Sequence, residues 1–153
     1  MANDYRSMVT AMLQRLGLPA TTLDAEDGLV LGWDDLDIRV TDDPLGRHVV
    51  VAALAGSLAA TPERRRELLR AVLDLNLGCI MRYGLGAALD RGNGSDVVVT
   101  ATIEYHRPVD QLIRLVEDVG TVARLHKDLF DVPKPSASAY EAALFENALI
   151  FQP

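Results

Sequence analysis

The sequence predicts an α+β domain with a twisted antiparallel sheet, in the order helix, three strands, helix, two strands, helix. Three observations predict it. Apolar residues recur at helical spacing in three segments, they alternate or cluster in five short runs between those segments, and turn-forming residues separate the runs. A chain of 153 residues, 49% apolar and 24% charged, has the size and balance of one globular domain with its own core.

The first helix is predicted over residues 3–16, where apolar residues recur at intervals of three and four. Gly17 ends this helix, and Pro19 prevents its continuation. Three strands are then predicted over residues 29–33, 36–41 and 47–55. The middle strand alternates apolar and polar residues, which is typical of a half-buried strand. The short turns between these runs favour an antiparallel meander.

The second helix is predicted to start at Thr61, with Thr61 as its cap, Pro62 in the first helical position and Glu63 complementing the helix dipole. Its apolar stripe is wider than the roughly 100° that packing against one sheet face requires. We therefore expect this helix to contact both its own sheet and a second partner. The stripe consists of Leu68, Leu69, Val72, Leu73, Leu75, Leu77 and Ile80.

Two further strands are predicted over residues 85–90 and 96–105, joined by a glycine-rich hairpin turn. A third helix follows Pro108 and runs to about residue 130. Beyond Pro133 and Pro135, apolar residues at helical spacing predict a short extra helix within residues 136–151: Tyr140, Leu144, Ala148 and Phe151. The sequence is thus divided into a domain at 1–130 and a linker with a helical tail at 131–153.

The histidines and the cysteine of the sequence do not occur in the patterns that catalysis or metal binding requires. His48, His106 and His126 lack metal-ligand spacing, and the single cysteine, Cys79, has no second thiol to pair with. His126 falls on the apolar stripe of the third helix, which predicts a packing histidine with satisfied polar atoms. We expect no enzyme activity, no cofactor and no metal. The absence of a signal peptide or an 18-residue apolar run favours the cytoplasm.

The net charge of −7 is concentrated in one segment, because residues 22–43 contain eight acids and one base. Such a segment can attract a basic partner, but acids at turns and strand edges also keep these edges soluble. The second interpretation is favoured, since charge runs are usually solvated surfaces. The chain has no basic stripe that would replace counterions on nucleic acid, so a nucleic-acid partner is not expected.

Several segments resemble one family. Residues 68–76, L-L-R-A-V-L-D-L-N, resemble the L-L-x-x-L-L-x-x-N signature of the class I type III secretion chaperones, the Tir chaperone or CesT-like family. Residues 12–18 are similar to the leucine-glycine-leucine end of that family's first helix, and the acidic residues 23–28 to its lead into the first strand. Residues 86–90 and 97–99 resemble the two strands that follow the signature. The resemblance covers about residues 4–130.

The resemblance implies a bacterial, cytoplasmic homodimer that acts in virulence without ATP. Each dimer would hold the N-terminal region of a secreted effector in extended form and keep it soluble and competent for export. The residues expected at the dimer interface, together with the following strand, are Leu69, Val72, Leu73 and Asn76. Those expected to contact the effector are Met8, Met12, Leu29, Leu31, Trp33, Leu36 and Ile38.

Two alternatives remain open at this point. An adaptor or regulator of the same fold would bind a folded protein rather than an extended one. A small enzyme or small-molecule-binding protein would need a deep pocket with convergent polar groups. The shortage of histidine, cysteine and aromatic residues counts against the latter.

Overall fold

A computed structural model of the chain describes residues 4–19, 28–59 and 61–131. The elements within these ranges follow the predicted order. They are α1 (Tyr5–Arg15), β1 (Leu29–Trp33), β2 (Leu36–Asp42), β3 (His48–Ser57), α2 (Pro62–Tyr83), β4 (Ala87–Leu89), β5 (Asp96–Glu104) and α3 (Val109–Asp131). The predicted tail helix at 136–151, and the linker before it, lie outside the described residues.

The five strands form one sheet in the order β1-β2-β3-β5-β4, and every neighbouring pair is antiparallel. The predicted meander of the first three strands is thereby confirmed. Asp34 and Asp35 form the two-residue turn between β1 and β2, and Asp34 adopts a left-handed φ of 53°. Aspartate tolerates this conformation better than most residues. Among the described strands, β1 and β4 are the two edges of the sheet.

The core lies between one face of the sheet and the three helices. Alternate residues of β2, β3 and β5 point into it and are fully buried: Ile38, Val40, Val49, Val51, Val97 and Val99. The helix α3 packs across this face, and α1 and α2 pack on α3. Gly120 allows α3 to approach β2 closely, because a Cβ atom there would lie 3.0 Å from Cδ1 of Ile38. The opposite face of the sheet, with Val30, Arg39 and Leu54, is exposed.

The starts of α2 and α1 are capped in different ways. Thr61 is the N-cap residue of α2, as predicted, although its side chain makes no capping hydrogen bond. Pro62, whose fixed φ suits the first helical position, begins the helix as predicted. The first helix begins at Tyr5 because Asp4 caps it, accepting a hydrogen bond from the Ser7 amide at 2.7 Å. That bond lowers the pKa of Asp4.

Candidate protein-binding surfaces

The apolar stripe of α2 is divided between core and solvent. Leu68, Val72 and Cys79 are buried on one side of the helix. On the other side the exposed fractions are 65% for Leu73, 69% for Leu77, 55% for Ile80 and 85% for Met81. Large apolar side chains clustered in this way mark surfaces that bind another protein. Together with Leu69 and with Leu89 of β4, these four exposed residues define the α2/β4 surface.

A cavity of about 230 Å³ lies within this surface, between α2 and β4. Apolar residues line it: Leu69, Val72, Leu73, Ala87, Ala88, Leu89 and Val97. Three of the four residues predicted for the dimer interface, Leu69, Val72 and Leu73, therefore lie together beside the strand that follows them. Their contact with a second copy stays a prediction.

Asn76, the fourth predicted interface residue, forms hydrogen bonds within its own chain. Its Nδ2 donates to the Ala87 carbonyl at 2.8 Å, and its Oδ1 accepts from the Ala87 amide at 2.7 Å. A Cβ atom at Gly86 would lie only 3.0 Å from the same Oδ1, so glycine allows the backbone to run close to the Asn76 side chain. Asn76 thus joins α2 to β4, which gives a physical reason for asparagine at this position of the signature.

The expectation that His126 is a packing histidine is confirmed. Its ring is fully buried on α3. Nε2 lies 3.0 Å from Asn76 Oδ1, and Nδ1 lies 2.8 Å from the Val122 carbonyl oxygen. Both ring nitrogens therefore have hydrogen-bonding partners inside the core. The apolar period of α3 predicted the burial of His126, but no sequence pattern connected it to a residue fifty positions away.

The residues predicted to contact an effector come together in the core of the domain. Five of them have buried side chains: Met8, Met12, Leu29, Leu36 and Ile38. Leu31 and Trp33 of β1 are half-buried and pack against that cluster. Tyr5 joins α1 to the sheet by donating its hydroxyl to the Val40 carbonyl at 2.7 Å. The predicted role of these residues in effector binding stays a prediction, with Leu31 and Trp33 nearest to solvent.

The β1 strand offers an open main-chain edge next to this cluster. Trp33 and Leu36 flank a two-residue turn, so they form a hydrogen-bonded pair with each other. Such pairs alternate along an antiparallel ladder, which places Leu31 and Leu29 in hydrogen-bonded pairs as well. The amide and carbonyl groups of Val30 and Gly32 consequently point away from β2. Among the described strands, none pairs with that edge.

The acidic turns are fastened to the fold. Lys127 Nζ contacts the Asp35 carboxylate at 2.6 Å, and Arg124 contacts it at 3.0 Å. Tyr105 donates a hydrogen bond to Asp42, and burial, together with this bond, raises the pKa of Tyr105. These contacts of Asp35 and Asp42 support the interpretation of the acids as turn residues over the interpretation that they bind a basic partner. Asp24, Glu26 and Asp27 lie outside the described residues.

The pair between Asp35 and Lys127 leads to a pH-dependent prediction. The hydrogen bond from Lys127 holds the pKa of Asp35 below its ordinary value of 3.8. A group with a lowered folded pKa stabilises the fold above its unfolded pKa, and this contribution is lost as the pH falls through the folded pKa. We expect Asp35→Asn to lower the thermal midpoint at pH 7, with the difference from wild type shrinking as the pH falls below about 4.

Thermal unfolding of both proteins between pH 7 and pH 3 measures this difference. Asp37→Asn is the matched control, because Asp37 is exposed in β2 and forms no ion pair within the described part of the chain. A difference that stays constant across the pH range would contradict the assignment.

A polar depression of about 410 Å³ lies where β3 begins and β5 ends, and it opens to solvent. Its two histidines, His48 and His106, contact Asp43 and Glu104 respectively. Within the described residues, no group of three His, Cys, Asp or Glu side chains is arranged to hold a metal ion. No helix in those ranges is both long and apolar enough to cross a membrane.

The described part of the chain is therefore a two-layer α+β domain with an exposed apolar helix face and a β1 edge with which no described strand pairs. Comparison with known proteins gives matches of structure alone: no family model and no curated protein sequence matches the chain. A chain of the HopA1–SchA chaperone–effector complex superimposes with a TM-score of 0.62 at 15% identity. That match covers 81% of this chain and 93% of the other.

Two further solved structures share the fold. A chain of the ExsC–ExsE complex matches with a TM-score of 0.60 at 18% identity, covering 86% of this chain and 94% of that one. YbjN from E. coli, a candidate transcription regulator, matches with a TM-score of 0.57 at 17% identity, covering 84% and 95%. The chain thus has a type III secretion chaperone-like fold, which confirms the fold that the resemblance implied.

Proposed function

We propose that this protein is a type III secretion chaperone that binds the N-terminal region of a secreted effector in extended form. It keeps the effector soluble and competent for export in the bacterial cytoplasm, without ATP. The observation that carries the proposal is the α2/β4 surface, where four large apolar side chains of one helix stand in water in the single chain. The matches to chains of the HopA1–SchA and ExsC–ExsE complexes support a protein partner.

The α2/β4 surface is proposed to be the homodimer interface. A second copy placed against it would cover Leu73, Leu77 and Ile80, which a single chain leaves exposed. Full burial of one such side chain is worth about 1.5–3 kcal/mol. The cavity beside Leu69 and Leu73 offers room for apolar side chains of the partner copy.

The open edge of β1 is proposed to be the effector site. An extended segment can add a strand there by pairing with the main-chain groups of Val30 and Gly32 that point away from β2. Its apolar side chains would then approach Leu31 and Trp33. The remaining predicted effector residues, Met8, Met12, Leu29, Leu36 and Ile38, form the core beneath this edge. Strand addition depends on main-chain hydrogen bonds and apolar burial, neither of which requires a nucleotide.

A proline at position 30 tests this site. Val30→Pro removes the Val30 N–H group, which points away from β2. It leaves the hydrogen bonds that Leu29 and Leu31 form with β2 in place. We expect the affinity for the effector to fall by roughly ten-fold or more, because added strands depend on such hydrogen bonds. The probe is the N-terminal segment of the protein encoded by the neighbouring gene, and titration calorimetry measures its affinity.

Val30→Ala serves as the control for Val30→Pro, since it shortens the same side chain and retains the amide. Circular dichroism establishes that both variants are folded. Equal losses of affinity in the two variants would assign binding to the side chain, and no loss in either would remove β1 as the site.

The first experiment is a light-scattering mass of the protein, alone and co-expressed with the product of the neighbouring gene. A dimer that takes up one copy of that product supports the proposal. A monomer that takes up nothing contradicts both the dimer and the effector site.

An adaptor or regulator that binds a folded protein is the second candidate, and the match to YbjN favours it. The two candidates differ in the state of the bound partner. Hydrogen exchange of the partner in the complex distinguishes them, because an extended segment exchanges its amides fast outside the contact, whereas a folded partner protects them throughout.

A further inference from the structure

A chain of polar groups crosses the junction of α2, α3 and β4. It runs from His126 on α3 to Asn76 on α2, over 3.0 Å, and from Asn76 to both main-chain groups of Ala87 on β4, over 2.7 and 2.8 Å. His126 is fully buried and Asn76 is half-buried. Polar groups in such surroundings restrict the structure to the arrangement that satisfies them.

The direction of each hydrogen bond follows from Ala87. Its amide must donate and its carbonyl must accept, so the Asn76 side chain has one possible orientation, with Oδ1 towards the Ala87 amide. The same Oδ1 faces His126 Nε2, so this contact is a hydrogen bond when the ring carries a proton on Nε2. The second partner, the Val122 carbonyl at Nδ1, is also an acceptor. A neutral imidazole donates to one of these oxygens at a time, and an imidazolium donates to both.

The strand β4, which the hydrogen bonds from Asn76 hold, has few other attachments. It has only three residues. It pairs with β5 on one side, and no described strand pairs with its other side. A three-residue loop, residues 84–86, connects it to α2. Ala87, Ala88 and Leu89 form one wall of the cavity in the α2/β4 surface, and Leu69 and Leu73 of α2 form the other. The separation between α2 and β4 therefore determines the shape of that surface.

We propose that Asn76 and His126 are positioning residues that hold β4 at the distance from α2 that a second copy of the chain requires for docking. His126 does not reach the surface and acts through Asn76, whose Oδ1 it holds in place. Asn76 holds β4 directly. The inference rests on the proposed dimer, and it extends the control of that interface to α3, a helix outside the α2/β4 surface.

Substitutions at the two residues should have graded effects on dimerisation. Asn76→Ala removes both bonds to Ala87, and we expect the dimer dissociation constant to rise about ten-fold or more. His126→Leu removes the donor to Asn76 but leaves the bonds to Ala87, so we expect a smaller rise. His126→Gln retains an N–H donor and should remain within about three-fold of wild type. Sedimentation equilibrium measures the dissociation constants.

The matched control is Val119→Ala, a cavity-forming change at another fully buried position of α3, whose side chain has no polar atom that could join these hydrogen bonds. It should lower stability in urea while leaving the dissociation constant unchanged. If it weakens the dimer as much as His126→Leu at equal loss of stability, the role of His126 is only structural and the proposal is overturned.

Hydrogen exchange at the Ala87 amide separates this proposal from the proposed dimer. The amide should exchange faster in Asn76→Ala and in His126→Leu, and at the wild-type rate in His126→Gln and Val119→Ala. Unchanged exchange in the first two variants overturns the positioning role, whatever the oligomeric state. A wild-type protein that is monomeric at every concentration, but shows the expected exchange pattern, overturns the dimer interface and with it the docking half of the proposal.

Discussion

Leu73→Asp is expected to convert the proposed dimer into a folded monomer. Leu73 lies midway along α2 with 65% of its surface exposed, so the single chain tolerates an aspartate there. In a dimer the same aspartate would be an unpaired charge in an apolar contact, which costs about 3–5 kcal/mol. The dissociation constant should rise by roughly 150- to 4,000-fold. Light scattering over a range of concentrations measures the change, with circular dichroism to check the fold.

Leu45→Asp is the control for Leu73→Asp. Leu45 is 78% exposed in the turn between β2 and β3, away from the α2/β4 surface. The same change of leucine to aspartate there should leave the mass unchanged. A Leu73→Asp protein that remains a well-folded dimer would show that the interface lies elsewhere, and the open edge of β1 would become the next surface to test.

Ile38→Ala is expected to lower the free energy of unfolding by about 2–5 kcal/mol. Ile38 is fully buried in β2, where it packs beneath Gly120 of α3. Removing three carbons leaves a cavity that the close approach of α3 to the sheet cannot fill. Urea denaturation measures the loss. Val30→Ala, on the exposed face of the neighbouring strand, should change the same free energy by less than about 0.5 kcal/mol.

The same variant examines the predicted effector role of Ile38. Effector affinity is measured at a temperature where Ile38→Ala is fully folded, and is compared with that of the Val30→Ala protein. An affinity equal to wild type would assign Ile38 to the core that supports the edge of β1. A loss of affinity in the folded protein would indicate that the effector reaches the core around Ile38, which requires α3 to move from the sheet.

The sequence by itself determined the local structure of this protein. Helical and alternating periods, with glycine, proline and aspartate at the turns, predicted the helices and strands of the described ranges and their order. These signals are local, because each depends on residues fewer than five positions apart. The width of the apolar stripe on α2 also predicted a surface beyond the needs of the domain, and exposed Leu73, Leu77, Ile80 and Met81 are consistent with it.

Only the tertiary structure decided which apolar residues belong to the core and which to a surface. A periodic pattern shows which face of a helix or strand is apolar. It does not show whether that face packs in the core or against a partner protein, because both contacts bury apolar side chains. Met8, Met12 and Ile38 thus carry the same sequence signal as Leu73, although they are buried and Leu73 is exposed. The insertion of β5 between β3 and β4, and the contact of His126 with Asn76, also required the structure, because both join residues distant in sequence.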